Sequence, residues 1–581
     1  MQMKQSLLQK LQKNLAKQYG TAVQMTEENS VLTLRGHLAA WGDVVAAGRL
    51  CADKKSRWHV VNEITCDEKD TSRCLPHSTD TTLDGISPEV LIIGGGVVGC
   101  AIARELSRWN LDILLVEKEH DVALHASSRN DGMVHPGIDL HPWQLKQKYN
   151  LRGNAMYAQI CRDLQVPYSQ TGQRIGFDKA WMRPLLRIAP LYWRHMGVPC
   201  DYLSGAAMHA AEPSLNPNIT CALSFPTAGI VCPYGLTIAY AENAVQNGVQ
   251  LSLDTAVLSM TVRDGAIIAV QTNRGTLHPK VVVNAAGVYS DEIAKMAQDC
   301  FFSIHPRRGT NAILDKKAAF QVRTIASMLG TVSTKATHSK GGGLVRTADG
   351  NLLVGPNAIE TQEKENFATD AQSVHSVMEK QKKTAPLLFE RDIITYFTGV
   401  RAATYEEDFI IEKGRKTSNL VHAAGIQSPG LTAAPAIGVD VAQMAVDVLR
   451  AQGVRAQPNT AFNPVRKAIP RTAELPENER AAWITKNPDF GVIVCRCEEV
   501  SRGEIIAALH RAVPCDTVDG VKRRVRPGMG RCQGGFCGPA VTQIIAQEMK
   551  IPLHAVKKNG DGSELLFGST KEVRHSAKES L

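Results

Sequence analysis

No run of eighteen consecutive apolar residues occurs anywhere in the 581-residue chain, and a membrane-crossing helix needs about that many. The most apolar long stretch, 420–449, is broken by Gln427, Ser428, Pro429, Pro435, Asp440 and Asp447, so an integral membrane protein is not expected. The N-terminus, MQMKQSLLQKLQKNLAKQYG, lacks both a continuous apolar core and a small-residue cleavage site, and it does not read as a secretion signal. Aromatic residues are few, at 5%, and no basic block is interleaved with them despite a formal charge of +9; nucleic acid is therefore not an expected partner. No Ser-His-Asp or His-Glu-x-x-His arrangement and no internal repeat is present. The fourteen cysteines are scattered singly except for one C-terminal group, a usage that suits a reducing compartment. The expected location is the cytoplasm, with any membrane association peripheral and made through a partner.

A chain of this length exceeds one hydrophobic core. Residues 1–70 read as a small α/β unit. Leu7, Leu8, Leu11 and Leu15 mark one helix face and Lys4, Lys10, Lys13 and Lys17 lie off it; a hairpin around Glu28, Asn29 and Ser30, a helix and a strand follow. The order αββαβ and the ending VVNEI resemble the BON module, which implies scaffolding or interaction. Residues 71–88 are polar and turn-rich, as a linker is. A long α/β region spans 89–452, a second linker spans 453–489 with Pro458, Pro464, Pro470 and Pro476 along it, a compact unit spans 490–560, and a polar tail fills 561–581.

The stretch VLIIGGGVVGCAIARELSRWNLDILLVEKE holds the main signal of the first half. An apolar strand runs into Gly94-x-Gly96-x-x-Gly99, a helix follows, and a second apolar strand ends at Glu117. Gly94 permits a tight turn, Gly96 lets the backbone approach a pyrophosphate, and Gly99 lets helix and strand pack closely. The helix N-terminus offers unpaired N–H groups and a positive dipole end to phosphates. Glu117, eighteen residues past Gly99, is placed to bind ribose hydroxyls and would repel a 2′-phosphate.

Three further stretches, SSRNDGMVHPG (127–137), VVVNAAGVYSD (281–291) and AGIQSPGLTAAPAIG (424–438), resemble the FAD-dependent D-amino-acid oxidase superfamily. The resemblance implies FAD as cofactor. It implies that Ser128, Asn130, Gly132 and Met133 line the pyrophosphate and flavin, that Ala286 and Gly287 close over the dinucleotide, and that Gly430, Leu431 and Thr432 face the flavin pyrimidine. A Pro-Gly turn opening a helix there would aim N–H groups at the flavin edge where negative charge gathers on reduction.

Near the C-terminus Cys495 and Cys497 form C-x-C and, after thirty-four intervening residues, Cys532 and Cys537 form C-x4-C in the loop GMGRCQGGFCG. Four thiolates are what a 2Fe-2S cluster requires, and flanking glycines let backbone N–H groups reach the sulfurs. Structural zinc would accept the same four ligands. The spacing, with the helical stretches EEVSRGEIIAAL and GPAVTQIIAQEM, resembles the bacterioferritin-associated ferredoxin-like domain, which implies the 2Fe-2S cluster. Lys522, Arg523, Arg524, Arg526 and Arg531 around these ligands read as an offset to cluster charge, a docking surface for an acidic acceptor, or a solvated face.

The expected fold class is thus α/β: a Rossmann-like FAD-binding domain of glutathione-reductase type with an inserted α+β substrate domain, a small N-terminal α/β BON-like module and a small C-terminal helical iron-sulfur domain. The order of flavin and cluster domains resembles the large subunits of anaerobic glycerol-3-phosphate dehydrogenases, and the run RNDGMVHPGIDLHPWQLKQKYNLRG resembles L-2-hydroxyglutarate oxidases. Both resemblances imply oxidation of a small hydroxy acid, polyol phosphate or amino acid, with electrons leaving through the cluster to a partner flavoprotein or iron-sulfur subunit. His135 is the candidate base or polar contact; Arg401 and Arg307 are candidate anion-binding residues. Where the glycerol-3-phosphate enzymes carry an Arg-Tyr pair this chain has Asp139 and Leu140, and an aspartate in a dry cleft would repel phosphate. Two other readings stay open: an NAD(P)H-driven reductase, against which stands the single complete glycine fingerprint, and a non-enzymatic iron-sulfur carrier or redox sensor.

Overall fold

The computed structural model describes residues 5–67, 73–329 and 342–568; Lys4, part of the first linker and the tail beyond 568 lie outside them. The dinucleotide domain is built on a six-stranded sheet ordered Gln250–Ser252, Ile113–Val116, Val90–Ile93, Val281–Asn284, Leu420–Ala424 and Ile410–Lys413. The first five are parallel and the last is antiparallel. Val90–Ile93, Ile113–Val116 and Val281–Asn284 are buried at every position, as expected of parallel strands covered on both faces. The helices Val97–Leu106, Leu145–Asp163, Pro233–Gln246 and Gly430–Ala451 pack on this sheet in one continuous core. Gly430–Ala451 has the length and hydropathy of a membrane span, the one such helix among the described residues, yet 67% of its apolar window is buried inside the fold. Gly153 and Gly438 explain how it comes so close: a Cβ on Gly153 would collide with the Thr432 carbonyl, and one on Gly438 would lie 3.1 Å from the Ala101 backbone.

Inserted segments form a nine-stranded mixed sheet whose longest ladder pairs Ile304–Leu314 with Ile393–Thr404. In this register Arg307 faces Arg401 and Gly309 faces Gly399, so all four lie on one side of the sheet.

The N-terminal unit contains Gln5–Tyr19, Val23–Glu28, Val31–Leu38, Trp41–Cys51 and His59–Cys66 in helix-strand-strand-helix-strand order. Asn29 and Ser30 both adopt positive φ, at 51° and 64°, the geometry of a two-residue hairpin turn matching strand twist. Leu11 and Leu15 are buried against the strands. Neither linker hangs free. Thr276 O accepts Gly85 N–H and Asp80 pairs with Arg274 in the first. In the second, Arg466 pairs with buried Glu242, and Glu477–Lys486 forms a helix that the proline spacing did not suggest.

The C-terminal unit starts at the strand Ile493–Cys495 and is mainly helical, with Arg502–Leu509, Val518–Val525 and Gly538–Met549 around a small core. Ser501 and Glu504 form a reciprocal capping box at the start of Arg502–Leu509.

Candidate functional site

Each fingerprint glycine has its own steric reason. Gly94 has φ of 112°, and a Cβ there would lie 2.5 Å from the Ala285 carbonyl. A Cβ on Gly99 would overlap the Gly94 carbonyl, and one on Gly96 would meet Ser127 Oγ at 3.2 Å. Gly96 is the N-cap of Val97–Leu106 and has no side-chain cap, so the dipole end of that helix opens toward the loop 94–96. Ser127 Oγ accepts the Val97 N–H at 2.9 Å. Ser127, not the expected Ser128, is thus the hydroxyl at this helix end; Ser128 bonds locally to the His125 carbonyl. In a Ser-Ser pair, sequence alone has no signal that chooses between them.

Glu117 sits immediately after the strand Ile113–Val116. Its carboxylate accepts Gly95 N–H at 2.6 Å and Glu119 N–H at 3.0 Å. Burial pushes its pKa up, against the nearby His125 and those two N–H groups. Ala286 abuts Gly94, and Gly287 turns outward at φ of 57°. Asn130 ties the loop 126–132 together: its amide donates to the Ala126 and Ser127 carbonyls, and its oxygen accepts Gly132 N–H. Gly132 at φ of 70° packs where a Cβ would strike the Val231 carbonyl, and Met133 is laddered to Ile230. The steric cradle, the helix end at Gly96 with Ser127 beside it and the carboxylate fit an adenine dinucleotide.

The N-terminal end of Gly430–Ala451 also lacks a side-chain cap. The Thr432 hydroxyl, however, is buried and accepts the His135 N–H at 2.8 Å, so it positions the His135 strand and does not itself face a ligand. His135 Nδ1 accepts Gly137 N–H at 3.1 Å, which leaves the proton of the neutral ring on Nε2. In that tautomer His135 is a donor and not a base.

Arg307 and Arg401, though paired across the ladder, differ in commitment. Arg307 donates to Glu360 at 2.7 Å and to Glu407 at 2.6 Å. Glu360 also holds His305 at 2.8 Å and Arg49, and Glu407 accepts from Gln427 at 2.7 Å. Among the described residues Arg401 makes a single hydrogen bond, to the Asn357 carbonyl at 3.3 Å. Its side chain lies across Gly309, where a Cβ would collide with it, and burial lowers its pKa against the opposing charge of Asp131. Among the described residues Arg401 does not pair with Glu406 or Glu407, and it lies toward the loop that carries Asp131 to His135. Arg308 points to the other face, toward Ala368 and Asp370. Asp139 is exposed, in a left-handed turn with φ of 58°. In water its charge is screened, so it would not repel a phosphate as it would in a dry cleft.

The four C-terminal cysteines converge. Cys495 and Cys497 sulfurs lie 3.9 Å apart, and Cys497 and Cys532 sulfurs 4.0 Å apart, while a hydrogen bond with Cys537 pulls the Cys495 thiol down to about 5. Cys495 and Cys537 are buried and Cys497 and Cys532 exposed. A Cβ on Gly530 would strike Cys497 Sγ. Neighbouring sulfurs at these distances form one four-thiolate site.

Most of the basic residues near the cluster pair inside the protein, while Arg531 is exposed. Arg524 is buried and forms a two-pronged pair with Asp121, at 2.8 and 3.0 Å. Arg526, at φ of 74°, bonds Glu498 at 2.9 Å and Asp349 at 2.6 Å. Arg531 faces Asp315 at 3.3 Å. The pairs with Asp121, Asp349 and Asp315 join the cluster unit to the dinucleotide and substrate domains.

Comparison with known proteins gives the same division. The family described as "FAD dependent oxidoreductase" matches residues 89–444, and the "BFD-like [2Fe-2S] binding domain" matches 493–547. A protein named glycerol 3-phosphate dehydrogenase from Caloramator mitchellensis is 40% identical over 489 residues, covering 83% of this chain and 99% of its own. One subunit of the anaerobic glycerol-3-phosphate dehydrogenase of Escherichia coli K12 is 25% identical, covering 78% and 87%. Among solved structures, the FAD-bound L-alpha-glycerophosphate oxidase of Mycoplasma pneumoniae superposes with a TM-score of 0.59 at 29% identity, covering 65% of this chain and 98% of that one.

Proposed function

The chain belongs to the FAD dependent oxidoreductase family, and from that premise we propose that it is a dehydrogenase whose substrate is glycerol 3-phosphate. FAD and a 2Fe-2S cluster are its cofactors; bound, they supply a two-electron acceptor and a one-electron relay. The observation that carries the substrate reading is Arg401, an uncommitted guanidinium beside the 129–135 loop in a chain 40% identical to a glycerol 3-phosphate dehydrogenase. Arg401 holds the anionic end of the substrate by charge-assisted hydrogen bonds. His135 Nε2–H donates to the substrate oxygen and orients the carbon to be oxidised. Arg307, neutralised by Glu360 and Glu407, acts as a positioning residue for the wall that carries Gln427. Electrons leave through the exposed Cys497 and Cys532 edge of the cluster to a separate partner protein, a reading supported by the likeness to one component of a multi-subunit anaerobic dehydrogenase. The N-terminal unit, BON-like in element order, serves as a scaffold.

The test is anaerobic mixing of iron-replete protein with glycerol 3-phosphate, glycerol, L-2-hydroxyglutarate and NADH, followed at the flavin absorbance. Glycerol 3-phosphate is expected to bleach the flavin, while glycerol and NADH leave it oxidised. Faster bleaching by L-2-hydroxyglutarate, or none by any of the four, would sink the assignment.

A further inference from the structure

The substrate-domain helix Arg183–His195, with the turn Ala180–Met182 before it, is apolar on two opposite sides. Inward, buried Leu186 and partly buried Trp193 join Ile175, Phe177, Leu223 and Phe225 in a local core. Outward stand Trp181, Leu185, Ile188, Leu191 and Tyr192, exposed by 69, 58, 60, 69 and 56%. Positions 181, 185, 188 and 192 are separated by four, three and four residues, which sets them in one stripe along the helix. The inner side alone satisfies the fold. A second, continuous apolar stripe facing solvent marks an interaction surface.

Its charges identify what it meets. Lys179, Arg183, Arg187, Arg194 and His195 flank the stripe, and no acidic residue occurs between 179 and 200. The nearest acids, Asp178 and Asp201, are taken by Lys179 at 3.4 Å and Arg194 at 2.6 Å. Arg183 and Arg187 have no acidic partner within ion-pair distance among the described residues; Arg187 lies 5.7 Å over the Tyr202 ring. We propose that this helix seats the protein directly on an anionic lipid bilayer, its apolar stripe entering the acyl boundary and its arginines contacting headgroup phosphates. Trp181 and Tyr192 close the two ends of the stripe, and such amphipathic rings favour the headgroup level. Pairing with a second copy would set arginines against arginines with no acid between them. The attachment needs no partner protein, and it stands whichever substrate the flavin oxidises.

The experiment is sedimentation of the full-length holoprotein with vesicles of phosphatidylcholine alone or mixed with phosphatidylglycerol, at low and high salt. Binding is expected only to the mixed vesicles, weaker at high salt, with Leu185→Glu/Ile188→Glu reducing it about tenfold or more. Arg183→Glu/Arg187→Glu gives a second, purely electrostatic reading and is expected to weaken binding comparably, with flavin content and circular dichroism of both variants unchanged. The proposal is overturned if the wild type stays in the supernatant with anionic vesicles or if both variants bind as it does. It is also overturned if ultracentrifugation reveals a wild-type dimer that Leu185→Glu/Ile188→Glu disperses.

Discussion

At Gly99 the missing side chain is the function: the helix carrying it sits so close to the turn before it that a Cβ would overlap the Gly94 carbonyl. Gly99→Ala must push helix and strand apart, at a cost of about 1–3 kcal/mol, and the purified variant is expected to carry markedly less FAD by absorbance. Gly99 meets a carbonyl only five residues back, and Gly94 carries a positive φ besides its close approach to Ala285; the spacing of the pair made both legible. The two arginines are the opposite case. Arg307 and Arg401 look equivalent as residue types, and only Glu360 and Glu407, brought in from other strands and loops, neutralise one and spare the other. Arg401→Met should therefore lower kcat/KM for glycerol 3-phosphate by roughly a hundredfold, the scale of a lost charge-assisted bond, chiefly through KM in steady-state assays. Arg307→Met should instead reduce thermal stability, because it leaves two buried carboxylates with fewer cations.

Among elements, the N-terminal unit shows how local pattern and docking separate. Its helices, strands and hairpin follow from leucine spacing and from Asn29 and Ser30, but its attachment depends on contacts hundreds of residues away. Gly48 packs on the Tyr405 ring, Arg49 pairs with Glu360, and Val60 N–H donates to Glu406 at 2.8 Å. The unit thus grips both the carboxylate that holds Arg307 and the segment that follows Arg401. Burial alone would raise the pKa of Glu360 and Glu407; His305 and Arg307 at the first, and Arg307 and Lys146 at the second, outweigh it and hold both down to about 2. A free glutamate titrates near 4.3, so the stabilisation is complete above that pH and is lost as the pH falls toward 2. Melting curves from pH 5 to 3 should show Glu360→Gln already destabilised at pH 5 and less steeply affected by acid than the wild type. The cluster unit was equally readable from its cysteines, yet its basic residues were not, since Asp121 and Asp349 are remote in sequence. Arg524→Met leaves buried Asp121 with only the longer contact to Arg523 at 3.4 Å, at a cost of up to about 3 kcal/mol, and limited proteolysis should then release the C-terminal unit before the rest unfolds.

Across the whole molecule a short covalent and hydrogen-bonded path joins the two redox regions. Gly132 and Met133 pack on the strand Gly229–Val231, and three residues beyond it the Tyr234 hydroxyl donates to Met529 Sδ at 3.2 Å. Met529 lies in the loop that carries Cys532. Arg526 locks that loop by bonding Tyr234, Asp349 and Glu498 together, at 3.3, 2.6 and 2.9 Å. The residual charges are shared, since Arg471 also reaches Asp349 and Lys316 reaches Glu498, so Arg526→Met should loosen the loop without unfolding the unit. On the proposed placement of the flavin beside Gly132, bleaching by substrate does not pass through this loop and should keep its rate. Appearance of the reduced-cluster signal by rapid-freeze electron paramagnetic resonance should slow by about tenfold, because loosening a donor–acceptor arrangement by even an ångström is costly where geometry sets the rate. Equal slowing of both readouts would show that Arg526 supports the flavin site itself, and unchanged cluster reduction would show that electrons take a route that avoids Tyr234 and Met529.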